Sequence, residues 1–538
     1  MNSSSKAQSF LEAHIALVQP LESRHAEVAW SLATAAGATA DDSAAASAAL
    51  KSVYSAPDTY ALALKLLEST KHPQLHRQLQ LVVNACASNQ MEPSLLSEMS
   101  RLEASIEDRF NHFRGKVDGE EVSDNQIRSI LHHSDDLPHR RQAWEAAKAI
   151  GAEVADDVRH LARLRNQGAQ KMGHRDHFAM SLAHQELDEN WMMGLLAELE
   201  AQTRGPFLKL KERLDKRLSS RFALKRGAPV MPWHYADPFF QDLPPGEDGL
   251  DLDVYFEDVD TVDICGKYFS AIGLPVDDIL TTSDLFERDG KNQHAFCTRL
   301  DRVGDVRILT NLRNDEGWTS TLLHELGHAA YDKGIPIELP WLLRDVSHAL
   351  TTEAVALMFE RLTRHGPWLR EWLGLSDQEA STLGAQASRS LSEGQLVFCR
   401  WCLVMVYFEK GLYADPEQDL DKLWWQLVER FQGISPPAGR KSPDWAAKIH
   451  VSNVPVYYQN YLIGELVASQ MWQHLTGRVL ADAPDPSAAM ATDPRLGGWM
   501  TSHIFEPGAS QIWTDHVTKA TGQPLRPHYY GDFITSGG

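Results

Sequence analysis

His324-Glu325-Leu326-Gly327-His328 places two imidazoles four residues apart with a carboxylate between them. On a helix both rings lie on one face and can aim a nitrogen at a single ion, with Glu325 projecting beside it. That grouping suits metal-assisted hydrolysis. Zinc lowers the pKa of its water toward about 7, and the adjacent carboxylate takes the proton and passes it to the leaving amine. A catalytic zinc takes three protein ligands and keeps a position for water, so a third donor is expected on a neighbouring element. The expected third ligand is Glu353, in Thr351-Thr352-Glu353-Ala354-Val355-Ala356-Leu357-Met358. The threonine pair can cap a helix there, with Glu353 in its first turn beside an apolar face where an unpaired charge is costly. A structural zinc fits less well, because such sites are closed by four ligands and usually rich in cysteine. One Zn2+ per chain is expected, although a His2Glu donor set also accepts cobalt or manganese.

These residues need a rigid frame, and the surrounding sequence reads as mostly α. The first 220 residues carry helical periodicity, including a stretch from Glu186 to Arg217 interrupted at Gly205-Pro206. Between about 226 and 252 the pattern breaks into Pro, Gly, Trp and Asp, which reads as an ordered loop able to line a cleft. From His294 to Leu312 two apolar-rich runs flank Val303-Gly304-Asp305, the pattern of a β-hairpin beside the motif helix. Helical periodicity then persists almost to the C-terminus. The expected architecture is one two-lobed helical unit with a deep central channel. Residues 1–225 would form a helical lobe covering the cleft, and 226–538 the catalytic lobe.

The 538 residues are 43% hydrophobic and 23% charged, which suits a large globular protein with ample core. Fifty-two basic against seventy-three acidic residues give a formal charge of −21, which disfavours nucleic acid as a partner. No secretory signal and no run of about 18 apolar residues is visible, so no membrane partner is expected. Five cysteines form no disulfide framework, and the expected location is a reducing one, the cytoplasm. Cys399-Arg400-Trp401-Cys402 has redox-motif spacing, but in an apolar helical run it reads as two packed helix cysteines. Oligomeric state stays open.

Several segments together resemble the angiotensin-converting-enzyme family of zinc peptidyl-dipeptidases, gluzincins related to the thimet-type oligopeptidases. They are Thr321 to His328, Leu339-Pro340-Trp341-Leu342-Leu343-Arg344-Asp345 and Thr352-Glu353-Ala354. Further on come Trp424-Trp425-Gln426-Leu427, Phe431-Gln432-Gly433-Ile434-Ser435-Pro436-Pro437, Ala447-Lys448-Ile449-His450-Val451, and Val454 to Tyr461. His294-Ala295 lies at the family's spacing before His324.

By that resemblance, His294 and Ala295 would pair with the backbone of an extended peptide substrate, a mode that reads backbone rather than sequence. Lys448, Tyr458 and Gln241 would clamp the peptide's C-terminal carboxylate, and His450 and Tyr461 would donate to the tetrahedral oxygen. Tyr457, Tyr458 and Tyr461 are all in reach, and the Tyr458/Tyr461 pair matches the family's spacing. The implied substrates are short peptides, most directly shortened by C-terminal dipeptides. An oligoendopeptidase or a single-residue carboxypeptidase of the same fold remains the alternative. The chain departs from the family at several positions. Its chloride-binding arginines fall on Val428 and Asn460, an acidic residue four positions after the third ligand is Leu357, and Val456 and Tyr457 are extra after Pro455.

Overall fold

The computed structural model describes residues 3–244 and 250–536. Helices dominate, and among the described residues the only sheets are two antiparallel pairs. One pair, β1 (Gly115–Val117) with β2 (Glu120–Val122), escaped the sequence reading because each strand is three residues long. The other, β3 (Phe296–Arg299) with β4 (Val306–Leu309), is the expected hairpin. Its turn is shaped by Gly304 at φ +124 and by Asp301 Oδ1, which accepts the N–H groups of Val303 and Asp305. His294 and Ala295 precede the paired residues.

The chain forms two compact units. The first comprises Met1–Gln90, Leu250–Ser388 and Ile463–Tyr529; the second comprises Met91–Gly249, Arg389–Leu462 and Tyr530–Gly538. Their interleaved segments do not follow the single boundary near residue 225 drawn from the sequence. Sequence periodicity reports which faces are apolar, not which helices those faces meet.

In the first unit the N-terminal helices bury Ala7, Leu11, Val18, Leu66, Leu75, Leu79 and Val82 together with Trp341 and Leu342. The helix bearing the histidine pair, Glu316–Gly334, starts where Asp315 Oδ1 accepts the Trp318 N–H at 2.6 Å. It buries Leu322, Leu323, Leu326 and Ala329. Its neighbour, Ala349–Glu360, packs tightly against it at Gly327, where a Cβ would meet Ala356 Cα at 2.9 Å and Phe359 Cδ2 at 3.0 Å.

In the second unit the helix Glu189–Arg221 runs through Pro206 without a break. Proline removes one hydrogen bond but its fixed φ is compatible with a helix, and the buried Leu199, Phe207 and Leu210 on either side hold the helix in place. The helix Asp377–Ala414 carries the Cys399/Cys402 pair, both buried, and all five cysteines are free thiols. By length and composition this helix could cross a membrane, which the sequence reading overlooked, yet 67% of its most apolar window is buried inside the protein. Trp401, Leu403, Val404 and Phe408 pack into the core.

Candidate functional site

One turn of helix separates His324 from His328 and brings their Nε2 atoms to 3.2 Å. Glu353 reaches across from Ala349–Glu360, with one carboxylate oxygen 3.9 Å from His324 Nε2 and the other 4.0 Å from His328 Nε2. The three donors therefore cluster as metal ligands do. Tetrahedral zinc with bonds of ~2.1 Å would place its ligand atoms ~3.4 Å apart, so the set closes on such an ion with a small movement of the flexible glutamate.

Both imidazoles are oriented from behind. His324 Nδ1 lies 2.8 Å from Glu360 Oε2, and His328 Nδ1 lies 2.7 Å from Thr352 Oγ1. Each partner occupies Nδ1 and leaves Nε2 turned toward the shared point, the arrangement that fixes metal-binding histidines elsewhere. Thr352 thus has a different task from the capping expected of it. The helix begins earlier, at His348, whose side chain accepts the Leu350 N–H, and this places Glu353 in the second turn rather than the first. Glu360 was not foreseen. It stands two helical turns after Glu353 on the same face, and supplies the acidic partner that Leu357 cannot; the seven-residue spacing was the available signal.

The charges here act on one another at close range. Burial alone would lower His324, but the hydrogen bond and charge of Glu360, with Glu325 and Glu353, push it up to about 9. Burial and the neighbouring His324 push His328 down to about 3. Burial raises Glu325 to about 7 and also raises Glu353. Three carboxylates around two imidazoles make a setting that a divalent cation would balance. Glu325 itself is buried, and its carboxylate accepts the backbone N–H of Cys297 on β3. Asp284 and Leu285 bond alongside β4, so β3 carries the other edge of this hairpin. His294 is exposed just before that strand, its N–H donated to Asn292 Oδ1.

A second group of foreseen residues lies in the second unit. Lys448 Nζ donates to Gln241 Oε1 at 2.9 Å and packs beside the rings of Phe239 and Trp401, 5.3 and 5.4 Å away. Gln241 belongs to the loop expected from the break in periodicity, of which Pro245–Gly249 lie outside the described residues. The loop's shape comes from Asp237, whose carboxylate accepts the N–H groups of Phe239, Gln241 and Asp242. Gln432 Nε2 secures the carbonyls of Phe239 and Phe240. Burial pushes Lys448 down to about 8, with Asp237 opposing the shift. A cavity of about 120 Å³ open to solvent adjoins the pair, lined by Phe110, Phe113, Arg128, Asp237, Gln241 and Lys448 among others.

His450 and Tyr458 bring their rings within 5.1 Å, and Tyr461 lies 5.4 Å from Tyr458 and 5.2 Å from Tyr457. All three tyrosines thus stay close to one another. Burial and then the Lys448 charge push His450 down to about 4, so it is neutral near pH 7. Of the two extra residues after Pro455, Val456 is buried with φ +54, and this left-handed residue turns the chain into the helix Tyr458–His474. Asn460 Nδ2 donates to Gln185 Oε1 at 2.8 Å, and Val428 is buried, so neither position carries a cation.

Comparison with known proteins adds an independent line. The family model described as angiotensin-converting enzyme matches residues 1–212 and 261–526. The chain is similar to the angiotensin-converting enzyme of Rattus norvegicus, 22% identical over 273 residues, which are 48% of this chain and 20% of that protein. It is likewise similar to the angiotensin-converting enzyme of Haematobia irritans exigua, 24% identical over 242 residues, 43% of this chain and 39% of that protein. These matches therefore span well under half the length of the relatives. The loop of Gln241 falls in the gap between the matched segments.

Proposed function

We propose, from the premise that this chain belongs to the angiotensin-converting enzyme family, that it is a zinc peptidase acting on short peptides and releasing dipeptides from their C-termini. The observation that carries this reading is the convergence of His324, His328 and Glu353, with both histidines oriented from behind and Glu325 buried alongside. Zinc held by those three residues would supply a Lewis acid that activates water and polarises the scissile carbonyl.

The remaining work belongs to the chain's own side chains. Glu325 takes the proton from the attacking water and delivers it to the leaving amine, and burial favours this by raising its pKa toward neutrality. The Cys297 N–H fixes the direction in which its carboxylate points. His450 and Tyr461 donate to the oxygen that becomes negative as the carbonyl turns tetrahedral. His294 and Ala295 offer backbone groups to the peptide at the entry to β3. Lys448, Gln241 and Tyr458 hold the terminal carboxylate, and such a hold fixes the product length. The five free thiols support a reducing compartment, the cytoplasm.

The test is mass spectrometry of N-blocked octapeptides with free or amidated C-termini, incubated with the protein with and without a chelator. Successive dipeptide losses that stop with chelator and with amidation are expected. Internal cleavage indifferent to amidation would make the enzyme an oligoendopeptidase, single-residue losses a carboxypeptidase, and no cleavage would sink the reading.

A further inference from the structure

The stretch from Lys448 to Tyr461 carries four of the side chains assigned above, yet its middle is irregular: a single helical turn, His450–Asn453, then a bend, then the start of Tyr458–His474. At the bend, Val456 has φ +54 and no exposed surface. A β-branched residue adopts that left-handed conformation only when its surroundings impose it.

The imposing groups are polar and come from elsewhere in the second unit. Glu409 Oε1, on Asp377–Ala414, accepts the Val456 N–H at 2.7 Å. Gln459 and Gln185 donate their Nε2 groups to the Val456 carbonyl at 2.6 and 3.2 Å. On the preceding turn, Arg165 from Leu137–Lys171 donates to the Val451 carbonyl at 3.5 Å, to the Ser452 carbonyl, and to Tyr413 Oη at 3.1 Å, while pairing with Glu103 at 2.8 Å. Glu409 and Arg165 are both buried. Ionisable groups are costly to bury, and here they grip the backbone on both sides of one bend.

We propose that Glu409 and Arg165 are positioning residues: Glu409 holds Val456 in its left-handed turn and Arg165 holds the end of His450–Asn453, so that the Tyr458 ring returns against His450. This rests on the reading of His450 and Tyr458 as substrate-contacting groups. Neither Glu409 nor Arg165 needs to meet the peptide. Burial pushes the Glu409 carboxyl up to about 8, so near neutrality it is mostly a protonated acid. Glutamine would therefore reproduce its hydrogen bond to Val456, and alanine would not.

The experiment uses the full-length zinc-loaded enzyme and an N-blocked peptide with a free carboxylate. Glu409→Ala is expected to raise KM about tenfold with a smaller change in kcat and unchanged zinc content, whereas Glu409→Gln stays near the wild type. Adding Val456→Gly to Glu409→Ala is expected to recover most of the lost KM, because glycine takes a positive φ without being held there, while the Tm stays low because a buried side chain is lost. If Glu409→Ala does not fold, Arg165→Lys takes its place. Lysine keeps the charge but lacks the fork that reaches several acceptors, and the same rise in KM is expected. A Glu409→Ala enzyme with a lower Tm but wild-type KM, or one that Val456→Gly does not rescue, would overturn the inference. A wild type that cleaves no peptide would overturn the functional reading itself, and the inference with it.

Discussion

The proposed metal donors and the proposed carboxylate clamp are held by opposite strategies. His324, His328 and Glu353 ride on two regular helices, and their partners Glu360 and Thr352 lie on one of those same helices. Gln241, Lys448 and Tyr458 follow a loop, an irregular turn and a left-handed bend; Asp237 and Gln432 fix the loop, and Arg165 and Glu409 fix the chain on either side of the bend. Helical geometry supplies precision to the first group at no cost beyond the helix itself. The second group depends on buried polar contacts, which demand complete satisfaction but let residues far apart in sequence set a side chain's direction.

This contrast can be tested by breaking each side in turn. The largest effect is expected from Glu325→Gln, a loss of about 10²–10⁴ in kcat with zinc content retained. An active variant would remove Glu325 from its role. Glu360→Ala is next: competition with a chelating dye should show zinc affinity falling about 10–100-fold while the fold, followed by circular dichroism, persists. If affinity is unchanged, Glu360 is only a neighbour of His324. Lys448→Met should lower kcat/KM by about 10–100-fold for peptides with a free C-terminus and leave zinc affinity alone. Equal losses on amidated peptides would show that Lys448 does not read the carboxylate.

The smallest expected effect is on pH dependence. Because burial pulls Lys448 down to about 8, its charge is present below that pH and lost above it. In the free enzyme kcat/KM for N-blocked, free-carboxylate peptides should therefore fall as pH rises through about 8. Amidated peptides should lack this limb, and finding it in both series would assign it to another group.

The same contrast explains what could be read from the sequence. His324 and His328 were legible because their relation is four residues on one helix, and Glu353 because a carboxylate stands out in an apolar helical run. The hairpin at 296–309 announced itself through two apolar-rich runs flanking Val303-Gly304-Asp305. Glu360 was hidden because its role depends on which helix face meets the motif helix, and Thr352 because its side chain turns to His328 instead of to the backbone. Val456 was illegible in principle: local propensity argues against a left-handed valine, and it is made tolerable by Glu409, 47 residues away, together with Gln185 and Gln459. Gln241 and Lys448 were found through family likeness, and no spacing rule would have joined residues 207 positions apart.

Gly327 sits between the two histidines of the proposed zinc motif at a position with no functional group to offer. Its bare α-carbon lets the two helices touch, and the second of them carries Glu353, Thr352 and Glu360 together. A single methyl group there would act as a wedge that displaces the proposed ligand Glu353 and two orienting partners at once. A mutational screen scored by metal retention should therefore rank Gly327 among the least replaceable positions of the chain, although it would never make a bond to the ion.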